Sequence, residues 1–249
     1  MANLYTGKMA SIFDAMYQTF IDYDEEYEFF NQLIQETNCK SILEIGSGTG
    51  NLAKRFKENH QDYIGLDYSQ NMIEIAQERN KDCTFIHGDM RNFELQTLVD
   101  AIIITGRSTS YLINNEDILN TFESVFKNLS SNGILIFDII DANRFIPFIK
   151  ENKTIVHEAS YKGINYVRES QWRTTPLENF MLDWNAKYYQ IVENEKEILS
   201  EDFSNVRVFT LNEMELFLYL NNFEILKVID RKTYAYDTYV IMAQKKTIP

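Results

Sequence analysis

Three short segments carry the residue types of a ligand site. Gly46-Ser47-Gly48-Thr49-Gly50 concentrates glycine in a chain that has only 9 glycines in 249 residues. Glycine permits positive φ and lets a ligand approach the backbone closely. A helix starting just after such a turn adds unpaired N–H groups. Asp67 follows 17 residues after Gly50, at a spacing where a carboxylate can accept both hydroxyls of a ribose. Gly88-Asp89-Met90 comes next: a carboxylate there can accept the amino group of an adenine, and Met90 can cover the ring. Taken singly, these are also a tight turn, a helix-capping acid and a surface turn. Taken in order, they fit an adenosine-bearing ligand. The glycines read GxGxG, not the GxGxxG of dinucleotide enzymes, and no hydride-transfer partner is evident, which disfavours an NAD-dependent dehydrogenase.

The elements that must hold these segments alternate along the chain. Residues 23–37 carry apolar groups at helical spacing. Ile42 to Ile45 form a short apolar run that ends in the glycine turn, and a helix is expected from Leu52 to Asn59. Strands are expected at Tyr63–Leu66, Thr84–His87, Asp100–Thr105 and Ile134–Ile140. Helices are expected at Asn71–Arg79, capped by Ser69, and at Asp117–Leu129. Ser131-Asn132-Gly133 reads as a turn. Apolar strands alternating with helices predict a parallel sheet covered on both faces, with ligands at the carboxyl ends of its strands.

The texture changes near residue 150. Residues 154–205 contain TIVHEAS, NYVRESQW, FMLDWNAKYYQIV and EKEILSEDFS, rich in aromatic and β-branched residues with period-two character. A helix then returns at LNEMELFLYLNNF, with Thr210 and Glu213 spaced as a reciprocal capping box. Strands follow at Glu224–Asp230 and Thr238–Gln244. The expected fold is α/β: a Rossmann-like, doubly wound, seven-stranded and mostly parallel sheet with an antiparallel β insertion after strand five. Residues 1–150 and 206–249 would form the core with an N-terminal helical cap, and 151–205 a substrate-side insertion.

Charge narrows the partners. The formal net charge is −13, and nucleic acid binding rests largely on Lys and Arg neutralising phosphates. A nucleic acid or an anionic membrane is therefore not an expected partner. Cys39 and Cys83 have no CxxC spacing, which suggests neither zinc nor a disulfide framework and a reducing compartment. No signal-peptide pattern and no apolar run of membrane-spanning length is present, so the expected location is cytoplasmic.

The arrangement resembles the class I S-adenosylmethionine-dependent methyltransferases over essentially the whole chain. ILEIGSGTGNLA is similar to their first motif, YIGLDYSQNMIEIA to the second and FIHGDMRNF to the third. MASIFDAMYQTFIDYDEEY resembles the family's N-terminal segment, and SNGILIFDI and RVFTLNEMELFLYLNNFEI resemble its later ones. The resemblance implies S-adenosylmethionine as cofactor. Gly46, Ser47, Gly48 and Gly50 would surround its methionine part, and Asp67 would take the ribose. Tyr68 and Met72 would flank the adenine, whose edge Asp89 and Met90 would read. Thr105 would border the sulfonium, Glu44 would act through water or backbone amides, and Tyr17 would meet the carboxylate. Phe13 stands where many relatives have Tyr.

The implied activity is methyl transfer to an amine or hydroxyl of a small-molecule acceptor, most similar to that of the amino-sugar N,N-dimethyltransferases. RSTSYL after the fourth strand lacks the Asn/Asp-Pro-Pro-aromatic motif of enzymes that methylate bases or amides. Two departures from the sugar enzymes stand out: Gln18 to Asp22 replace basic residues, and Arg207 falls where a histidine is considered their base. Catalytic candidates are Arg107, Tyr111 and Arg207, and Tyr5, Trp172 and Arg173 are further substrate-side candidates. Arg107 beside a sulfonium is unfavourable unless an acceptor anion lies between or the side chain turns away. Of the three histidines, His60, His87 and His157, His87 is expected nearest the site. No metal cluster is visible. A non-catalytic S-adenosylmethionine-binding sensor or assembly protein is the competing reading, and an oligomer is left open.

Overall fold

The computed structural model describes residues 5–59, 62–151, 154–174, 180–193, 195–233 and 237–246. Its centre is a seven-stranded sheet in the order β10-β11-β5-β4-β1-β2-β3. The strands are β1 (Ser41–Ile45), β2 (Asp62–Asp67), β3 (Thr84–His87), β4 (Val99–Ile104), β5 (Leu129–Ile140), β10 (Phe223–Arg231) and β11 (Thr238–Lys245). Strands β1 to β5 pair in parallel, and β11 runs antiparallel between β5 and β10.

Continuous apolar strands are explained by burial on both faces. Leu43, Ile45, Ile102, Ile104, Leu135 and Phe137 point into one core layer with Phe122 and Phe217. The intervening Ile42, Ala101, Ile103, Ile134 and Ile136 point into the other with Phe30, Ile34 and Phe56. The flanking helices are α2 (Tyr23–Gln35), α3 (Ala53–Glu58), α4 (Gln70–Arg79), α5 (Asn115–Asn128) and α7 (Leu211–Leu220). Asp22 caps α2, Ser69 caps α4 and Asn114 caps α5, each by accepting backbone N–H groups.

Four antiparallel strands form a second sheet: β6 (Ile155–Tyr161), β7 (Ile164–Thr174), β8 (Met181–Val192) and β9 (Glu195–Arg207). One part of it packs on α1 (Gly7–Phe20), where Ile12 and Met16 meet Tyr166, Ala186 and Tyr188. Another packs on α6 (Ala142–Glu151), where Phe145 and Ile149 meet Leu182 and Val206. Backbone bonds from Phe209 N to Ile140 O and from Ala142 N to Phe209 O tie the return of the second sheet to the end of β5.

Three local features differ from the sequence expectations. Asn132 takes a positive φ of 62°, but β5 runs through it from Leu129, and the register to β4 jumps from Leu129 to Ile134; the expected turn is a bulge inside a longer strand. Helix α6 covers residues to which no element was assigned; Pro147 lies within it and removes a backbone donor, and burial of Phe145 and Ile149 offsets that loss. Thr210 caps α7, but both Glu213 carboxylate oxygens face elsewhere, one of them toward Arg207. Only half of the capping box forms. Among the described residues no helix is long and apolar enough to cross a membrane.

Candidate active site

The glycine turn leaves β1 with Gly46 at φ +76°. Gly46 N and Ser47 N both donate to Leu66 O on the neighbouring β2, at 2.8 and 3.1 Å. A Cβ at Gly46 would run into the Ser108 hydroxyl, so the turn has room for glycine alone. Asp67, at the end of β2, accepts from Gly48 N with one oxygen and from Ser69 N with the other, both at 2.8 Å. Burial raises its carboxyl pKa, and these amide bonds oppose the rise. Two amides leave lone pairs on both oxygens for further donors.

Beneath the turn, Glu44 is buried on β1. Its two oxygens accept from Tyr63 Oη at 2.5 Å and Thr105 Oγ1 at 2.8 Å. Burial pushes its carboxyl up to about 7, against the two hydroxyls, and the nearby Asp67 adds to the rise.

These groups line a cavity of about 680 Å³ that also reaches Tyr68, Met72, Asp89, Met90 and Thr105, within the usual range for small-molecule sites. The Asp89 carboxylate is already engaged by Arg91, whose Nη2 donates to Oδ2 at 2.6 Å, and Arg91 also reaches Asp117 at 3.1 Å. That partner holds Asp89 below the usual carboxylate range even though burial works the other way.

Helix α1 closes one side. Asp14 accepts from Thr49 Oγ1 at 2.5 Å and from Arg79 Nη2 at 2.6 Å, and Asn51 Nδ2 adds a bond at 3.2 Å. The Tyr17 and Phe13 rings pack at a tilt of 33° with centroids 3.9 Å apart. The Tyr5 and Tyr111 hydroxyls share a 2.6 Å hydrogen bond at the cavity wall. The second sheet, on which α1 packs, adds His157, Arg168, Ser170, Trp172 and Trp184 to the lining. Arg168 Nη2 lies 2.9 Å from His157 Nδ1. A guanidinium only donates, so Nδ1 is the acceptor and the proton of the neutral ring is on Nε2. Burial, and then the Arg168 charge, push the imidazole down to about 4.

The cavity gathers Tyr17, Glu44, Gly46, Ser47, Gly48, Asp67, Tyr68, Met72, Asp89, Met90 and Thr105, and also Tyr5, Arg107, Tyr111 and Trp172. Other expected residues lie elsewhere. Gly50 faces away: with φ +74°, it packs under Phe85, Asn80 and Ala76. Arg207 pairs with Glu213 and covers the rings of Phe209 and Phe217, because an acid and an apolar floor were available inside the fold. Arg173 is exposed on β7 opposite Asp183. His87 is exposed and bonds the Tyr68 carbonyl at 3.0 Å, so His157 is the histidine at the cavity among the described residues. His60 lies outside the described residues. Arg107 borders the cavity, but its amide donates to Asp138 Oδ1 at 3.0 Å and its guanidinium turns to Thr233. Asp14 lies in the N-terminal segment of the resemblance but had no role assigned, and Arg79, His157 and Arg168 carried no motif; the tertiary fold brings all four in.

Sheet order, glycine turn and strand-end acids give the chain the Rossmann-like fold of solved methyltransferase structures. Residues 42–133 match a family model described as a methyltransferase domain. The chain is 31% identical to the putative methyltransferase YqeM of Bacillus subtilis over 140 residues, covering 55% of each protein. It is 27% identical over 138 residues to dTDP-3-amino-3,4,6-trideoxy-alpha-D-glucopyranose N,N-dimethyltransferase of Streptomyces venezuelae, covering 54% of this chain and 58% of that protein. The chain thus spans about half the length of the curated relatives it matches. The solved structure of the sugar N-methyltransferase KedS8 from Streptoalloteichus superposes with a TM-score of 0.80 at 17% identity, covering 99% of this chain and 98% of that one.

Proposed function

We propose that this chain transfers a methyl group from S-adenosylmethionine to an amine or hydroxyl of a small-molecule acceptor. The carrying observation is the Gly48 N to Asp67 bond, which sets a carboxylate and the glycine-turn amides on the wall of one cavity closed by aromatic residues. The cofactor supplies a methyl on a sulfonium: the acceptor's lone pair forms the new bond to carbon, the S–C electron pair stays on sulfur, S-adenosylhomocysteine leaves, and the acceptor loses one proton.

The residues present fit that group. Asp67 keeps lone pairs for the ribose hydroxyls. Ser47 Oγ is buried at the cavity without a hydrogen-bond partner, ready for a polar atom of the methionine part. Tyr68, Met72 and Met90 offer surfaces to the adenine, and Asp89 its edge, with Arg91 sharing that carboxylate. Tyr17 stands by for the cofactor carboxylate, and Glu44 holds the floor through Tyr63 and Thr105. Positioning and exclusion of water supply much of the rate in such a site. The second sheet, whose strands fall mostly within the expected insertion, forms the acceptor side. Free Cys39 and Cys83 accord with a cytoplasmic location.

Calorimetric titration with S-adenosylmethionine and S-adenosylhomocysteine tests the cofactor half, with Asp67→Ala as control and NAD as comparator. Binding of both, lost in the variant, supports the reading, and acceptor turnover read as S-adenosylhomocysteine release completes it. Binding of NAD alone overturns it.

A further inference from the structure

Arg168 is a buried cation that forms no ion pair among the described residues. It lies on β7 with 6% of its surface exposed, in a chain of net charge −13. Among the described residues no carboxylate comes within ion-pair distance of its guanidinium. Its neighbours are the Tyr17 and Tyr188 phenols and the neutral His157 imidazole. Its Nε has no hydrogen-bond partner. Two residues along the same strand face, Ser170 Oγ is buried and unpartnered as well. Both residues line the cavity described above.

A buried charge is costly unless it is paired. Arginine in particular presents a planar fork of donors that matches an oxyanion. The other cations at the cavity are already committed. Arg91 is held by Asp89 and Asp117, and Arg107 turns to Thr233. Arg168 stands on the wall that the second sheet supplies, as do Trp172 and Trp184, and that sheet is the acceptor half in the reading above. His157 reinforces the arrangement. Its Nδ1 fixes one arm of the guanidinium, and its Nε2 carries the proton of the neutral ring, which makes it a donor.

We propose that Arg168, with Ser170 beside it and His157 fixing it, seats an oxyanion carried by the methyl acceptor, a carboxylate or a phosphate. This rests on the methyltransferase reading and narrows its substrate class to anionic amines or alcohols. It also moves the anion seat from Arg107, where the sequence had suggested it, to the second sheet. A carboxylate or phosphate there completes the ion pair that the fold leaves open, and its attachment to the acceptor orients the nucleophile toward the glycine-turn side.

Matched acceptors test it without any variant. Glycine is compared with ethanolamine, and glucosamine 6-phosphate with glucosamine, with S-adenosylhomocysteine release as the turnover readout. Binding is followed by quenching of the two tryptophans, Trp172 and Trp184, which both line the cavity. The expected result is that the anion-bearing member of at least one pair binds about tenfold more tightly than its neutral partner. The responding pair distinguishes carboxylate from phosphate. Arg168→Met should remove that preference, and Arg168→Lys, which keeps the charge but not the fork, should restore part of it. Each variant should still bind S-adenosylhomocysteine. Equal binding of both members of both pairs, no response to any of them, or equal weakening of both members in Arg168→Met overturns the proposal. Failure to bind S-adenosylhomocysteine overturns instead the methyltransferase reading, and the tryptophan titrations still report on the anion seat.

Discussion

Asp14 on α1 and Arg79 on α4 form an ion pair at 2.6 Å across the mouth of the glycine turn. The second Asp14 oxygen takes the Thr49 hydroxyl, and Arg79 Nη1 donates to the Thr49 carbonyl at 3.1 Å. One carboxylate therefore fastens the covering helix to the loop it covers. Burial opposes the charge of Asp14, but Arg79, Thr49 and Asn51 outweigh it and hold the carboxyl below its ordinary range.

The first prediction concerns this clasp. Asp14→Ala leaves Thr49 and Arg79 without their shared acceptor. Arg79 is about one-third exposed, so screening limits the loss to about 1 kcal/mol. The covering helix should loosen, and affinity for S-adenosylmethionine should fall about fivefold by calorimetry. Faster hydrogen exchange confined to residues 7–20 should accompany it. Unchanged exchange there would show that packing on the second sheet, not Asp14, holds α1.

A second prediction follows from Glu44, whose folded pKa of about 7 lies above its ordinary 4.5. Between those values the folded state binds more protons than the unfolded chain, so stability falls as pH rises. The span corresponds to about 3 kcal/mol at most, lost progressively between pH ~4.5 and ~7. Asp138, pushed up to about 6 by burial against the pull of Arg107, contributes in the same direction. Glu44→Gln removes only the Glu44 part. Its melting temperature should exceed that of the wild type at pH 7.5 and converge with it near pH 5. Parallel curves for the two proteins across that range would refute the assignment.

The third prediction separates two glycines of one motif. Gly50 has φ +74°, and a Cβ there would lie 2.9 Å from Phe85 Cζ and 3.1 Å from Ala76 Cβ. Left-handed strain and overpacking together should cost Gly50→Ala about 2–4 kcal/mol, seen as a lower urea midpoint. Cofactor affinity of the folded fraction should barely change, because Gly50 faces away from the cavity. Gly46→Ala, at the cavity wall, should lose affinity as well as stability.

The divided roles of the glycines show what was legible in the sequence. Strand periodicity and the three strand-end motifs picked out residues that line one cavity, since each depends on residues close together in the chain. The same local logic found all four strands of the second sheet. What local spacing could not show was which side chains meet across the cavity. Asp14 reaches Arg79 over 65 residues of chain, and Arg168 meets Tyr17 from a different sheet. Arg107 and Arg207 were singled out by neighbouring motifs, and each instead found a partner inside the fold. Helix α6 had no element assigned to it; it holds Pro147, and the burial that sustains it is tertiary.

The last prediction tests that reassignment of Arg207. Its side chain is 11% exposed and that of Glu213 is 23% exposed, and the guanidinium lies 5.2 Å from the Phe209 ring centroid. Removing either partner strands the other charge at a partly buried position, which should cost about 1–3 kcal/mol. Arg207→Met and Glu213→Gln should therefore each lower the melting temperature. The double variant should lose clearly less than the sum, because it strands neither charge. Acceptor KM should stay within about twofold of wild type in all three, a difference of only ~0.4 kcal/mol. Additive losses in stability would deny the pairing. A selective collapse of turnover in a folded Arg207→Met protein would return Arg207 to the chemistry.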